Sequence, residues 1–218
     1  MRLNKGRLYI ISAPSGTGKT TLCRMLLKKV HRLKESVSYT TRQPREGEIN
    51  DVHYTFVSID TFREMLGGNE FLEHAEVHGN YYGTSMSRIE GILSEGFDVL
   101  MDIDVQGARQ IRGKNIIASY IFIVPPALDI LEQRLNKRST DSSDTIQKRL
   151  NKAKDEIKEL FSYDYVIMNE DLHKALEDLI AIITSNRLRT EYLDPQWMAR
   201  TFAVQEAQFR VYKSDTPC

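Results

Sequence analysis

The segment Ser12-Ala13-Pro14-Ser15-Gly16-Thr17-Gly18-Lys19-Thr20-Thr21 combines two glycines, a lysine and a run of hydroxyls. That is the chemistry of a phosphate-binding loop. Glycines let the backbone fold tightly around an anion. Successive N–H groups and a helix N-terminus then point at its oxygens. Lys19 would reach the β- and γ-phosphates, and the Thr20 hydroxyl would ligate Mg²⁺. Ala13 stands where such loops usually carry their first glycine, which requires a negative φ there. A second group, Asp102 and Asp104, closes the apolar run Val99–Asp104. If the strand continues that far, alternation puts both carboxylates on one face. They are then either a Mg²⁺ site, direct or through water, or a strand-end salt bridge. Arg42 and Arg45 share a Pro/Gly loop, with Tyr54 and Tyr82 further along. Their guanidinium forks either hold a phosphate bidentately or form a solvated basic turn. Arg134, Arg138 and Arg149 surround the polar stretch 138–144 and are either a cationic lid or ordinary helix-surface charges. His74 and His78 lie near Glu73 and Glu76, but no third metal ligand recurs nearby, and His53 reads as a loop residue.

These groups need elements to position them. Leu8–Ile11 reads as a buried strand, and Leu22, Met25, Leu26 and Val30 recur at helical spacing after Lys19. Strand, glycine loop, Lys-Thr and helix in that order are the context a phosphate loop requires. Ser36–Thr41 is expected to be one strand and Tyr54–Val57 another. Ser58 should cap a helix that ends at Gly67-Gly68, and Ser85 one that carries Ile89, Ile92 and Leu93. Phe71–Val77 reads as a strand followed by a turn at Gly79–Thr84. Further on, strands at Val99–Asp104, Ile116–Val124 and Tyr165–Met168 alternate with helices at Leu128–Asn136, Thr145–Leu160 and Leu172–Leu188. This order predicts an α/β fold with a doubly wound parallel sheet. The predicted organisation is a core from 1–36 and 85–190, with a mobile lid near 134–150. A small lobe at 37–84 and a tail at 191–218 complete it.

The chain has 218 residues, 41% hydrophobic and 28% charged, with a formal net charge of +0. A general nucleic-acid binder would be basic, so the balance argues against one. No apolar run reaches a membrane span, and the first residues lack a signal core. Cys23 and Cys218 form no disulfide framework or zinc spacing, which fits a reducing cytoplasm, and Cys23 reads as a small core residue. Trp197 in the tail would anchor on the core or on a second copy, making a homo-oligomer.

Three stretches in this order resemble the guanylate kinases: Ser36–Glu48, Phe71–Thr84 and Asp102–Gly107. The similarity spans roughly residues 6–190. It implies a P-loop nucleoside monophosphate kinase with ATP as co-substrate, Mg²⁺, and GMP or dGMP as acceptor. By this resemblance ATP would lie against Ala13, Pro14, Ser15, Gly16, Thr17, Gly18, Lys19, Thr20 and Thr21, with Asn169 at the adenine. Ser38, Glu73, Thr84 and Asp104 would surround guanine, and Arg42, Arg45, Tyr54 and Tyr82 would hold the acceptor phosphate. Thr20 and Asp102 would serve the metal. Lys19, Arg42, Asp102, Arg134, Arg138 and Arg149 would act on the transfer itself. Guanine presents N1–H and N2–H₂ side by side, which a carboxylate accepts, whereas adenine offers a lone pair at N1. Asn50-Asp51 and Ser139 stand where glycine is common in the family. Two other readings remain: a non-catalytic guanylate-kinase-like interaction module, and a P-loop kinase for another acceptor. The intact loop and the presence of both Glu73 and Asp104 count against them.

Overall fold

In the computed structural model the described residues are 5–114, 116–138, 143–190 and 194–202. The strands form two separate sheets. The first is five-stranded, all parallel, in the order β2-β7-β1-β8-β9. These strands are β1 (Leu8–Ser12), β2 (Leu33–Glu35), β7 (Asp98–Asp102), β8 (Ser119–Val124) and β9 (Tyr165–Met168). The second is four-stranded, in the order β4-β3-β6-β5. It is built from β3 (Tyr39–Thr40), β4 (Thr55–Phe56), β5 (Phe71–Val77) and β6 (Asn80–Ser85).

The first sheet is covered on both faces, as a parallel sheet must be. On one face Tyr9 and Ile11 pack with Leu22 and Leu26 of α1 (Lys19–Lys29) and with Leu179 and Ile183 of α7 (Leu172–Arg187). On the other, Leu8 and Ile10 pack with Ile89 of α3 (Met86–Ser94) and with Ala108 and Ile111 of α4 (Val105–Gly113). Each fully buried Leu or Ile contributes about 1.5–3 kcal/mol, so β1 is fixed firmly beneath its loop. Cys23 is buried in the first of these clusters. A third cluster joins Leu131 and Leu135 of α5 (Leu128–Arg138) to Ile146, Leu150 and Ala153 of α6 (Ser143–Ile157).

Ser58 caps α2 (Ile59–Gly67) by accepting from Thr61 N, and Ser85 caps α3 by accepting from Arg88 N. Four expectations need correction. The run Ser36–Thr41 is not one strand: Leu33–Glu35 pairs with β7 in the core, Tyr39–Thr40 pairs with β6, and Ser36–Ser38 crosses between the sheets. Gly79–Thr84 is not a turn. Only His78 (φ 51) and Gly79 (φ 75) turn, both left-handed as a tight hairpin demands, and β6 follows at once. Gly83 lies inside β6, where a Cβ would sit 2.8 Å from the Phe71 ring. The strand at Val99 stops at Asp102, and Asp104 instead caps α4, accepting from Gln106 N and Gly107 N. Ile116–Ala118 precede β8 rather than belong to it. In the tail, α8 (Pro195–Phe202) sets Trp197 edge-on against Phe202 at 5.7 Å.

Candidate active site

The turn between β1 and α1 is tight. Gly16 and Gly18 both have φ near 93°, a left-handed conformation that a side chain would strain. A Cβ on Gly16 would meet Leu135 at 2.8 Å, and one on Gly18 would meet Asn169 Nδ2 at 2.7 Å. Ala13 is absent from the positive-φ residues, so alanine is tolerated there. Gly18 is the N-cap of α1 and supplies no side chain, so the helix opens with its first-turn N–H groups outside the intrahelical ladder. The first ladder bond is Leu22 N donating to Gly18 O at 3.1 Å. That leaves an anion-seeking helix end.

Four elements converge on this loop. Lys19 Nζ lies 2.7 Å from Asp102 Oδ1 at the end of β7 and donates to Ile103 O, also at 2.7 Å. Asp102 is therefore in the strand-end ion pair, and the pair sits inside the same depression, about 310 Å³, that Gly16, Thr17 and Thr20 line. From the end of β9, Asn169 Nδ2 donates to Thr17 O at 2.6 Å. Arg134 of α5 donates to Asn169 O at 3.0 Å, and Arg149 of α6 donates to Ser15 Oγ at 2.6 Å. A second hollow of about 400 Å³ adjoins the first, between Gly18, Thr21, Arg134, Asn169 and Leu172. Arg138 ends α5, and its side chain lies outside the described residues, as does Ser139.

The second sheet presents the other half. Tyr82 and Thr84 alternate along β6 onto one face, while Tyr81 turns to the other and stacks on Phe62 of α2 at 5.5 Å. Phe71 also stacks on Phe62, at 4.4 Å. Glu73, two residues along the same strand, would share that face by simple alternation. A bulge between Phe71 and Glu73 shifts the register and sends Glu73 to the Thr84 side. There Thr84 Oγ1 donates to Glu73 Oε1 at 2.7 Å, and Ser38 Oγ lies 3.0 Å from Thr84 Oγ1. Glu73 is 7% exposed. Burial pushes its carboxyl above the usual glutamate range, the Thr84 bond opposes this, and Asp104 adds to it. Gly107 leaves room for this carboxylate: its Cβ would lie 3.2 Å from Glu73 Oε2.

Further along the same face, Arg42 lies 5.5 Å over the Tyr54 ring, and Tyr54 meets Tyr82 edge-on at 5.9 Å. Arg42 is gripped bidentately by Glu48, with bonds of 3.0 and 2.8 Å, and Glu48 also accepts from Arg45 N at 2.7 Å. Those bonds draw the Glu48 carboxyl down to about 2. Glu48 was missed as a site residue by sequence reasoning. The sequence carries no signal that sets it apart from Glu46 and Asp51 on the same polar loop. Asp51 has φ 59, a left-handed conformation that glycine adopts more readily, and it accepts from Thr55 Oγ1 and Arg88 Nη2. Among the described residues no cluster of three His, Cys, Asp or Glu could hold a metal.

The family model described as guanylate kinase matches residues 5–186. The chain belongs to the guanylate kinase family. It is 52% identical over 191 residues to the guanylate kinase of Vibrio cholerae, covering 87% of this chain and 92% of the relative. The Methylobacillus flagellatus guanylate kinase is 51% identical over 187 residues, covering 86% and 93%. The crystal structure of guanylate kinase from Anaplasma phagocytophilum superimposes with a TM-score of 0.71 at 29% identity, covering 94% of this chain and all of that one. The chain is a nucleoside monophosphate kinase, and the intact glycine loop is the one such an enzyme needs. Among the described residues no helix is long and apolar enough to cross a membrane.

Proposed function

We propose that this guanylate kinase moves the γ-phosphate of ATP to GMP, and to dGMP, with the two nucleotides entering from opposite sheets. The observation that carries the reading is Glu73: a carboxylate buried on the site face of β5, tied to Thr84 and within reach of the charge on Asp104. It accepts from guanine N1–H and N2–H₂, and adenine would leave it facing a lone pair. A polar site left unpaired by the wrong substrate discriminates by roughly 10⁴–10⁵. Ser38 and Asp104 complete the base site. Arg42, Arg45, Tyr54 and Tyr82 take the acceptor phosphate, with Arg42 held in orientation by Glu48.

On the donor side, residues 13–21 cradle the ATP phosphates and the hollow beside Asn169 takes adenine. The donor set also fits Mg²⁺. The Thr20 hydroxyl and the Asp102 carboxylate are hard oxygens lining one depression, and Mg²⁺ commonly uses one or two protein oxygens alongside substrate phosphates. Held by Thr20 and Asp102, Mg²⁺ would offset negative charge on the ATP phosphates. The acceptor is already an anion, so the chain needs no strong base. Its task is to bring two polyanions together. Lys19 leaves its contact with Asp102 for the transferring phosphoryl group, and Arg134, Arg138 and Arg149 add positive charge from the lid. Closure of that lid excludes water and so suppresses ATP hydrolysis. The even charge balance and the buried free thiol of Cys23 suit a cytoplasmic enzyme of nucleotides rather than of nucleic acid.

The test is ADP release with ATP and Mg²⁺ against GMP, dGMP, AMP, UMP and no acceptor. Release with GMP and dGMP far above AMP is expected. Release favouring another acceptor would discard the guanine assignment. No acceptor-dependent release from protein that binds GMP would favour the interaction module.

A further inference from the structure

Strand β5 is the edge of the second sheet, so among the described residues one side of it has no strand partner. Its partner on that side is a helix of the other sheet's layer. Gln110, in the last turns of α4, accepts from His74 N at 3.1 Å and donates to His74 O at 2.8 Å. One side chain thus takes both backbone groups of a single strand residue, as a neighbouring strand would. Across the bulge, Lys114, the C-cap of α4, donates to Phe71 O. Between these two anchors lies Glu73, whose Oε2 is the nearest atom to a Cβ built on Gly107 of the same helix. The N-cap of that helix is Asp104.

One helix therefore carries Asp104 at its start, leaves room for Glu73 at Gly107 in its first turn, and grips the backbone on both sides of Glu73 at its end. We propose that Gln110 is a positioning residue for base selectivity, clipping the edge strand to α4 so that Glu73 and Asp104 stand at a fixed separation. This rests on the reading that those two carboxylates hold guanine. The bulge leaves Leu72 outside the pairing of β5 with β6 and interrupts the ladder beside Glu73. Without the clip, Glu73 depends on β6 alone and can withdraw from the base. Such a loss falls on GMP and spares AMP, which the carboxylate never favoured. Lys114 contributes to the same clip, but its charge also acts on Glu73. Gln110 is neutral and is the cleaner probe.

The experiment compares wild type, Gln110→Met, Glu73→Gln and the double variant in the full chain, with GMP and AMP as acceptors. Methionine keeps the length of glutamine and removes both bonds. In Gln110→Met the kcat/KM ratio of GMP to AMP should fall about tenfold, the range two neutral hydrogen bonds supply. The fall should reside in the KM for GMP, with the KM for ATP unchanged. The His74 amide should exchange with solvent faster. In the Glu73→Gln background the same change should add nothing to the loss of selectivity, because Gln110 acts through Glu73. A wild-type ratio in Gln110→Met beside a lowered ratio in Glu73→Gln would overturn the clip and leave the guanine reading standing. Wild-type ratios in both would overturn the guanine reading and the clip with it. Equal losses for GMP, AMP and ATP would show that Gln110 supports the fold only. Should Gln110→Met fold poorly, Gln110→Ala is read by the same ratio and the same amide.

Discussion

Replacing Lys19 with methionine removes the ammonium while keeping most of the apolar stem. The ammonium lies in a site with little solvent around it, since the side chain is 17% exposed and Asp102 opposite is 18% exposed. At an effective dielectric near 20, unit charges about 4 Å apart attract by about 4 kcal/mol. Each ~1.4 kcal/mol is a factor of ten in rate, so kcat/KM for ATP should fall about 10³-fold. The fold pays less. Asp102 loses its cation and Ile103 O its donor, a cost of about 1–3 kcal/mol for unpaired groups at this burial. For a chain of this size that lowers the melting midpoint by about 2–12 °C. The assay is ADP release at saturating GMP with ATP varied, alongside a thermal melt. The KM for GMP should stay near wild type, because none of the residues assigned to the acceptor bonds to Lys19. Turnover within tenfold of wild type, in protein that melts as expected, would refute the placing of Lys19 on the transferring phosphate.

Asp102→Asn keeps the shape and removes the charge. It should raise the Mg²⁺ concentration for half-maximal velocity by at least about tenfold, the effect of losing one carboxylate at a hard-cation site. An unchanged Mg²⁺ titration would confine Asp102 to its ion pair with Lys19. The pH dependence follows from Glu73, whose carboxyl is raised by burial and then by Asp104. A raised carboxyl takes up its proton at a pH above the ordinary glutamate range. The KM for GMP should therefore climb as pH falls through that raised value, while the KM for ATP holds. Glu48, drawn down to about 2, stays ionised over the same window and keeps Arg42 in place. An acid limb that persists unchanged in Glu73→Gln would assign it to another group.

Much of the site could be read without the fold because its chemistry is local. The glycine loop needs only its own residues and the strand and helix beside it. The caps at Ser58 and Ser85 are set by hydroxyls accepting from backbone three residues on. The buried strands β1, β7 and β8 announce themselves as apolar runs, because a sheet covered on both faces needs nothing else, while β9 at the edge leaves Val166 and Met168 exposed. The errors turn on which partner a residue finds once the chain has folded, whether that partner is near in sequence or far. Gly83 looks like turn chemistry until Phe71 is seen against it. Asp104 looks like the end of a strand until Gln106 N and Gly107 N are seen to need an acceptor at the head of α4. Glu48 is one loop carboxylate among many until Arg42 closes on it.

The residue types at the site were determined by the sequence alone, and so was the parallel character of the core; the strand order was not. The face on which Glu73 stands was decided only by tertiary structure. Strand periodicity would put it beside Phe71 under α2. The bulge moves it across the sheet, and Thr84, Gly107 and the grip of α4 hold it there. A period of two sets alternation along a strand, but a single extra residue inverts it. Whether that residue is accommodated depends on packing between segments far apart in the chain.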